Sequence, residues 1–342
     1  MLWYSNVQFL AFAVNTTPEY HRGKYRAHQQ DTQDIRRRCE IMEQVALAAR
    51  RRANTSSYCL KVFVAPEFFF RGSKGAYSME GVQTLVRTLR QWTRDDAWKH
   101  WVFFFGTLMV TFENDANQRE ILNLALVQKG GAGEEDSRIV QKEILASADL
   151  LTQADLSKNP RPRHGAITQE QVVGIKTREQ YLAAQNRGPG KELQSHGFDG
   201  NGIFDLAGIR FAVEVCADHL SSRLALSPPA WLEYYPQLQV VTSCGVSQID
   251  EDSVVATQGG YAFLCDGYFQ DPNSGNGARS QLRKITTARR GNQPAVLQEI
   301  DPSQTLALTG SMPAHWQTCL GTAGELHIYP AQPVPWAKVR WW

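Results

Sequence analysis

The sequence lacks several features that would assign the protein to a specialised class. Its 36 basic and 34 acidic residues leave a formal net charge of +2, so no strong overall field would attract nucleic acid or an anionic surface. Its six cysteines show no C-x-x-C or other metal-ligand spacing, and in 342 residues they do not resemble a disulfide framework. We therefore expect a protein of the reducing cytoplasm, with no metal and no nucleic acid partner.

Long hydrophobic runs are also missing. The apolar segment from Val7 to Val14 has no basic region before it and is too short to cross a bilayer, and no stretch of about 18 apolar residues occurs elsewhere. We therefore expect neither a signal peptide nor membrane insertion. What is present, 42% hydrophobic and 20% charged residues, is an ordinary globular composition with enough apolar material for a large core.

Short apolar segments typical of buried strands recur along the chain, and two amphipathic segments indicate helices. The helices are expected at 35–53 and 78–92, the second with Ser78 as its N-cap. The strands are expected at 7–14, 61–67, 101–110, 123–128, 138–142, 201–206, 209–216, 238–243, 261–266, 280–286 and 295–300. The arginines at 36–38 and 50–52, at the two ends of the first helix, are predicted to form a solvated face.

Many strands, few long helices and no clear linker favour a single α/β domain with sheets between helix layers, a four-layer αββα sandwich. We assign residues 1–326 to this domain. A polar stretch at about 150–200 is predicted to be an insertion that forms a lid or rim over the site. Residues 327–342, rich in Trp and Pro, are predicted to be an apolar tail that packs on the body or on another subunit.

Three chemically capable side chains stand at predicted strand ends, which is where open α/β architectures place their sites. Glu67 follows a strand that stops at Pro66, Lys142 ends another, and Cys216 ends a third. A thiol is a good nucleophile only as thiolate, so a carboxylate that accepts its proton and an ammonium that stabilises developing negative charge complete a reactive set.

The sequence resembles the nitrilase, or carbon–nitrogen hydrolase, superfamily in segments that occur in the family's order. Residues 63–67 (FVAPE) resemble its hydrophobic-Pro-Glu motif. Residues 123–130 (NLALVQKG) with 139–142 (IVQK) are similar to its paired strands ending in lysine. Residues 201–218 (NGIFDLAGIRFAVEVCAD) resemble its cysteine segment. The resemblance covers most of the chain, from Val7 to about Ile300.

The resemblance implies that Cys216 attacks the substrate carbon, with Glu67 as general base and later acid. Lys142 and the backbone amide of Ala217 would face the oxyanion, and water would hydrolyse the resulting thioester. No cofactor is implied, and homo-oligomers are expected. Asp218 is expected to orient the cysteine loop, and Phe68 and His219 are assigned to the substrate-binding rim.

The departures from the family pattern narrow the expectation. Ala-Asp-His-Leu follows Cys216, where nitrile-cleaving members usually carry Trp-Glu, and this favours a small amide as substrate. Nitrile, carbamoyl or ureido substrates, and acyl transfer to an amine, stay open. The family's second active-site glutamate is expected inside the polar insertion, with three candidates: Glu170, Glu179 and Glu192.

Two hypotheses from other functional classes also stay open. A metal-dependent phosphoesterase of αββα type would use Glu67 with the Asp218-His219 pair, but it would leave Cys216 and Lys142 without a role. A non-catalytic scaffold would keep the fold and bind a partner. The other strand-end cysteines, Cys244 and Cys265, are predicted to be structural thiols.

Overall fold

The computed structural model describes most of the chain, in separate segments. These are residues 4–18, 20–21, 24–113, 119–131, 136–144, 147–150, 202–226, 235–268, 278–308 and 314–335. Within them, strands form two large sheets and a small hairpin of β2 (Tyr20–His21) and β3 (Lys24–Tyr25).

The larger sheet has nine strands among the described residues. Its main path runs in the order β15, β16, β1, β4, β6, β7, β8, with β17 beside β1 and β5 beside β6. Their bounds are β1 Asn6–Ala13, β4 Cys59–Val64, β5 Tyr77–Ser78, β6 Trp101–Glu113, β7 Arg119–Lys129, β8 Ser137–Gln141, β15 Gln304–Ala307, β16 Glu325–Ile328 and β17 Gln332–Pro333. The central strands β1, β4 and β6 are parallel to one another. Strand β7 is antiparallel to β6, and β8 is antiparallel to β7.

The smaller sheet has six strands in the described part of the chain, in the order β14, β13, β12, β11, β10, β9. Their bounds are β9 Ile203–Leu206, β10 Ile209–Val215, β11 Leu238–Ser243, β12 Tyr261–Asp266, β13 Arg279–Thr287 and β14 Val296–Ile300. The three strands β10, β11 and β12 are parallel, so their carboxyl ends lie at one edge. Ala207 (φ 56°) and Gly208 (φ 75°) form the tight turn between β9 and β10, as the hairpin prediction requires.

Two hydrophobic cores divide the molecule into layers. Alternate residues of β1 point to opposite faces, so that Phe9 joins a core between the two sheets and Phe12 joins a core beneath the helices. The second core is closed by α1 (Asp31–Arg50), α2 (Met79–Thr93) and a later helix, α6 (Ala314–Leu320). The short helices α4 (Ala217–Leu220) and α5 (Arg223–Leu226) lie between β10 and β11 in the chain. The predicted αββα sandwich is confirmed.

Local signals placed most elements correctly. Ser78 caps α2, its hydroxyl accepting from the Gly81 amide at 3.2 Å, as the sequence predicts. Strands β11 and β12 have the predicted bounds, whereas α1 starts four residues early and ends three residues early. The small elements β2, β3, β15, β16, β17 and α6 were not predicted.

One prediction about charge is wrong. Arg38 belongs to the basic run 36–38, which was expected to be solvated, yet only 2% of it is exposed. Its guanidinium is 2.8 Å from the carboxylate of Asp34 and donates to the carbonyls of Phe69, Arg26 and Cys319. A buried arginine is tolerated here because acceptors surround its donors.

The predictions for the insertion and for the tail have different outcomes. The insertion predicted at 150–200 lies outside the described residues apart from Leu150, which ends the short helix α3 (Ser147–Leu150). The predicted tail begins inside β16, and both β16 and β17 pair with β1, so its start belongs to the larger sheet. The division at residue 326 stays a prediction. Among the described helices, none is long and apolar enough to span a membrane.

Candidate active site

The three predicted side chains come from both sheets and meet where the sheets adjoin. Glu67 follows β4 of the larger sheet, Lys142 follows β8, and Cys216 follows β10 of the smaller sheet. The backbone joins the sheets here, since the Glu67 amide donates to the Ser243 carbonyl at 3.2 Å. Lys142 and Glu67 are fully buried, and Cys216 is 7% exposed.

Cys216 sits on a strained turn between β10 and α4. Its φ of 49° and ψ of −104° lie in a region that residues with a Cβ rarely occupy. Such strain costs about 1–3 kcal/mol and persists when the surroundings fix it. Here the Cys216 amide donates to the Thr242 carbonyl at 3.1 Å, and the Cys216 carbonyl accepts from the His219 amide at 3.0 Å. The turn therefore holds the sulfur in one direction.

Glu67 is held by three donors, two of them on one oxygen. The Lys142 ammonium lies 2.9 Å from Oε1, and the Asn123 side-chain amide donates to the same oxygen at 2.9 Å. The backbone amide of Cys244 donates to Oε2 at 3.0 Å. The Cys216 thiol interacts with this carboxylate and lowers the pKa of Glu67, and the nearby Cys244 amide lowers the pKa of the thiol. The structure thus brings all three predicted residues together.

The shared burial changes the acid–base properties of the group. Burial raises the pKa of Cys216 well above its usual range, and the negative charge of Glu67 raises it further, while Lys142 opposes the change. Burial also raises the pKa of Glu67, although the Lys142 ammonium offsets part of this. Burial lowers the pKa of Lys142, but the carboxylates of Asp149 and Glu67 outweigh it and raise that pKa well above the ordinary value. At neutral pH the resting sulfur is a thiol beside an ammonium.

Two side chains that the sequence analysis missed complete the cluster. Asp149, from α3, lies 2.6 Å from the Lys142 ammonium. Asn123, on β7, bridges the two carboxylates because its side-chain amide donates to both Glu67 and Asp149. Asn123 had a detectable signal, as a polar residue inside an apolar strand. Asp149 had none, because it lies at the edge of the polar insertion. The three glutamates predicted there, Glu170, Glu179 and Glu192, lie outside the described residues.

Asp218 ties the cysteine loop to the lysine loop. Its carboxylate accepts from the backbone amides of Glu143 and Ile144 at 3.1 and 2.8 Å, directly after Lys142. Burial raises its pKa to about 8, against the opposing effect of Arg223. Ala217 follows Cys216 as the first residue of α4, where a backbone amide has no intrahelical acceptor.

The predicted position of His219 on the rim is wrong. The residue is fully buried, its Nδ1 lies 2.7 Å from Glu214, and its Nε2 accepts from the Asp250 amide at 3.0 Å. Because Nε2 accepts, Nδ1 carries the proton and donates to the glutamate. Both nitrogens are occupied by the protein, so His219 supports the loop instead of contacting substrate.

Phe68 lies against the cluster. It has a φ of 61°, its amide donates to the Thr107 hydroxyl at 2.8 Å, and the Lys142 ammonium is 5.8 Å from its ring centroid. Its predicted contact with substrate stays a prediction. Among the described residues, no group of three His, Cys, Asp or Glu side chains is arranged to hold a metal ion.

Comparison with known proteins finds solved structures that are similar to this chain. No family model matches the sequence, and no curated protein matches it. The chain is similar to a glutamine-dependent NAD+ synthetase from Acinetobacter baumannii, at 12% identity and a TM-score of 0.41, covering 86% of this chain and 45% of that one. It therefore spans less than half of that synthetase.

Two further structures are similar over nearly their whole length. One is a CN-hydrolase superfamily protein from Xanthomonas campestris, at 12% identity and a TM-score of 0.39, covering 86% of this chain and 91% of that one. The other is a double mutant of the amidase from Nesterenkonia sp. AN1 in complex with acrylamide, at 11% identity and a TM-score of 0.40, covering 95% and 91%. At these values the similarities carry no argument about this chain, whose fold is established by its own sheets and helices.

Proposed function

We propose that this protein is a carbon–nitrogen hydrolase of the nitrilase type that cleaves a small amide through a thioester on Cys216. One observation carries the proposal: a strained, buried thiol shares a single cluster with a buried carboxylate and an ammonium 2.9 Å from that carboxylate. A structural cysteine has no need of such partners, whereas a nucleophilic one requires them.

In the first step the Cys216 sulfur attacks the amide carbon while the thiol proton moves to Glu67. A base with a raised pKa accepts a proton well near neutral pH, and this offsets the weak acidity of the buried thiol. The carbonyl oxygen becomes an oxyanion facing Lys142 and the Ala217 amide. Both donors are fixed before reaction, which is the condition for strong electrostatic stabilisation.

In the second step the tetrahedral intermediate collapses and the carbon–nitrogen bond breaks. Glu67 returns its proton to the departing nitrogen, ammonia or an amine leaves, and a thioester remains on Cys216. Glu67 then removes a proton from water, the hydroxide attacks the thioester carbon, and the acid leaves as the sulfur regains its proton. No step requires a cofactor.

Asp149 is proposed to take the part that the resemblance assigns to a second glutamate. Its carboxylate lies 2.6 Å from the Lys142 ammonium, and its negative charge raises the pKa of that ammonium. It keeps Lys142 charged and in place. We class it as a positioning residue, because it acts through Lys142 and Glu67.

The phosphoesterase alternative loses its support at the residues it would need. Asp218 binds two backbone amides, and His219 has both ring nitrogens occupied. Neither side chain is available as a ligand in this arrangement.

The test is ammonia release from a panel of small amides, nitriles and carbamoyl compounds, with the wild type and Cys216→Ser. We expect turnover of amides that the substitution abolishes and that EDTA leaves unchanged. Turnover that EDTA abolishes, and that survives in Cys216→Ser, would support the metal-dependent alternative instead.

A further inference from the structure

The segment at the end of β11 holds the proposed base through its backbone. The Ser243 carbonyl accepts from the Glu67 amide at 3.2 Å. The Cys244 amide donates to Oε2 of the Glu67 carboxylate at 3.0 Å. Two other donors to this carboxylate, the Lys142 ammonium and the Asn123 side-chain amide, both contact Oε1. The Cys244 amide therefore supports the oxygen that these two donors do not contact.

One buried carboxylate anchors this segment on both sides of Cys244. Asp266, the last residue of β12, is fully buried, and its Oδ1 accepts from the Ser243 hydroxyl at 2.6 Å. The same oxygen accepts from the amide of Gly245 at 2.7 Å and from that of Val246 at 3.2 Å. We call these three donor residues, together with Cys244, the anchored loop. Because the donors flank Cys244, they set the direction in which its amide points.

Asp266 is itself held by groups outside the anchored loop. Its Oδ2 accepts from the Tyr268 amide at 3.3 Å, and the Arg279 guanidinium of β13 lies 4.0 Å from the same oxygen. The thiols of Cys244 and Cys265 are titratable groups beside it. Burial raises the pKa of Asp266, while the hydrogen bonds that it accepts and the charge of Arg279 lower it. The carboxylate is therefore a fixed point between β12, β13 and the anchored loop.

The Cys244 amide matters because it acts on the proposed base. A hydrogen bond donated to a carboxylate favours its ionised form and so lowers its pKa. Burial acts on Glu67 in the opposite direction and raises its pKa, while the Lys142 ammonium lowers it and the charge of Asp149 raises it. If the Cys244 amide were displaced from Oε2, the base would stay protonated up to a higher pH.

We propose that Asp266 is a positioning residue for the reaction at Cys216. Its carboxylate holds the anchored loop so that the Cys244 amide points at Glu67 and keeps the base ionised and in place. Asp266 reaches Glu67 through the loop, so it is not a catalytic residue. This inference rests on the proposed function and adds a residue to the machinery that supports the base.

The first experiment measures kcat/KM for the best amide against pH in the wild type, Asp266→Asn and Asp266→Ala. The value should fall about 10-fold in Asp266→Asn, which keeps an acceptor, and about 10²-fold in Asp266→Ala, which leaves three donors unsatisfied. The acid limb of the profile should move to higher pH, because Glu67 loses support for its ionised form. Loss of a negative charge alone would move that limb to lower pH, so the direction isolates the displaced amide.

The matched control is Asp34→Asn, which also alters a fully buried carboxylate. Asp34 pairs with Arg38 and accepts from the Tyr77 hydroxyl, on the buried face of α1. This substitution should reduce stability in urea without moving the acid limb. An acid limb that stays in place in the Asp266 variants, or that moves to lower pH, overturns the inference. A limb that Asp34→Asn moves equally also overturns it, because any loss of stability would then have the same effect.

The second experiment separates this inference from the proposed function, because it needs no substrate. Hydrogen exchange of the wild type and Asp266→Asn is followed by mass spectrometry of peptides. Faster exchange in the peptide that contains the anchored loop, with unchanged exchange in β1, supports the anchoring even if no amide is hydrolysed. Unchanged exchange in the anchored loop overturns it, even if amides are hydrolysed. Asp266→Asn carries both experiments if Asp266→Ala does not fold.

Discussion

Two buried ionic clusters of this molecule contain similar charged residues but differ in which of their hydrogen-bonding groups are satisfied by the described residues. On the buried face of α1, Asp34 pairs with Arg38 and also accepts from the Tyr77 hydroxyl and the His28 amide. At the sheet edges, Glu67 pairs with Lys142, which is held in turn by Asp149. Asp34, Glu67, Lys142 and Tyr77 are all fully buried.

The difference lies in which groups the clusters satisfy. In the first cluster a fixed protein acceptor meets the donors of Arg38, so the charges serve to join α1 to its surroundings. In the second, the carboxylate of Glu67 interacts with a thiol, and the Asn123 side-chain oxygen is buried without a partner among the described residues. Unsatisfied hydrogen-bonding groups beside a nucleophile distinguish a reactive cluster from a structural one. Burial and charge alone do not distinguish the two.

The largest effect expected is on catalysis. Glu67→Gln keeps the shape of the side chain but removes the base, so kcat/KM for the best amide should fall by at least about 10³-fold. Because Lys142 keeps Asp149 as a partner, the free energy of unfolding should change by less than about 2 kcal/mol. Kinetics and urea denaturation of the same variant measure both. A large loss of stability with little loss of activity would reverse the assignment of the two clusters.

The next largest effect is on stability, in the other cluster. Arg38→Met leaves Asp34 as an uncompensated buried charge, and the free energy of unfolding should fall by about 3–5 kcal/mol. The control is Arg37→Met on the same helix, whose partly exposed ion pair with Glu40 at 2.7 Å should contribute less than about 1 kcal/mol. Equal losses in the two variants, read from urea denaturation, would contradict a structural role specific to Arg38.

A smaller effect on rate should follow from Asp149→Asn, which keeps the shape but removes a negative charge. We expect kcat to fall about 10²-fold as Lys142 loses its support. Since the charge of Asp149 raises the pKa of Glu67, its removal should lower that pKa and move the acid limb of the pH–rate profile to lower pH. Asp149→Glu, which restores the charge, should return the limb towards its original position. A limb that does not move would exclude the electrostatic link.

The smallest effect concerns pH and the loop that carries Cys216. The pKa of Asp218 is raised to about 8 in the folded state, so the folded protein binds a proton there that the unfolded chain releases near pH 4. This contribution to stability is full below about pH 4 and is lost as the pH rises towards 8. Asp218→Asn cannot ionise, so its urea stability should decline less than that of the wild type between pH 6 and 7.5, by about 2 kcal/mol. Parallel declines would show that the carboxyl is already ionised at pH 6.

Much of the fold was accessible from sequence because it depends on local patterns. Short continuous apolar segments located the buried strands β1 and β4, and Ser78 marked the start of α2. The parts that failed depend on distant contacts. Nothing local shows that Arg38 turns inward to carbonyls from three other segments, or that His219 has both nitrogens occupied.

The candidate site divides in the same way. Glu67, Lys142 and Cys216 could be found because each follows a strand within a recognisable segment. Asp149 on α3 and the amide of Cys244 after β11 join the cluster from segments whose course the sequence does not specify. The catalytic roles of Glu67, Lys142 and Cys216, the formation of homo-oligomers and the cytoplasmic location remain predictions.

The central claim, that the thiol of Cys216 becomes acylated during turnover, is tested most directly by acid quench of a reacting sample followed by peptide mass mapping. We predict an adduct with the mass of the acyl group on the peptide containing Cys216, absent from Cys216→Ala and retained in Cys244→Ala, which keeps its backbone amide. Full turnover in Cys216→Ala, or an adduct that maps to another cysteine, would contradict the account.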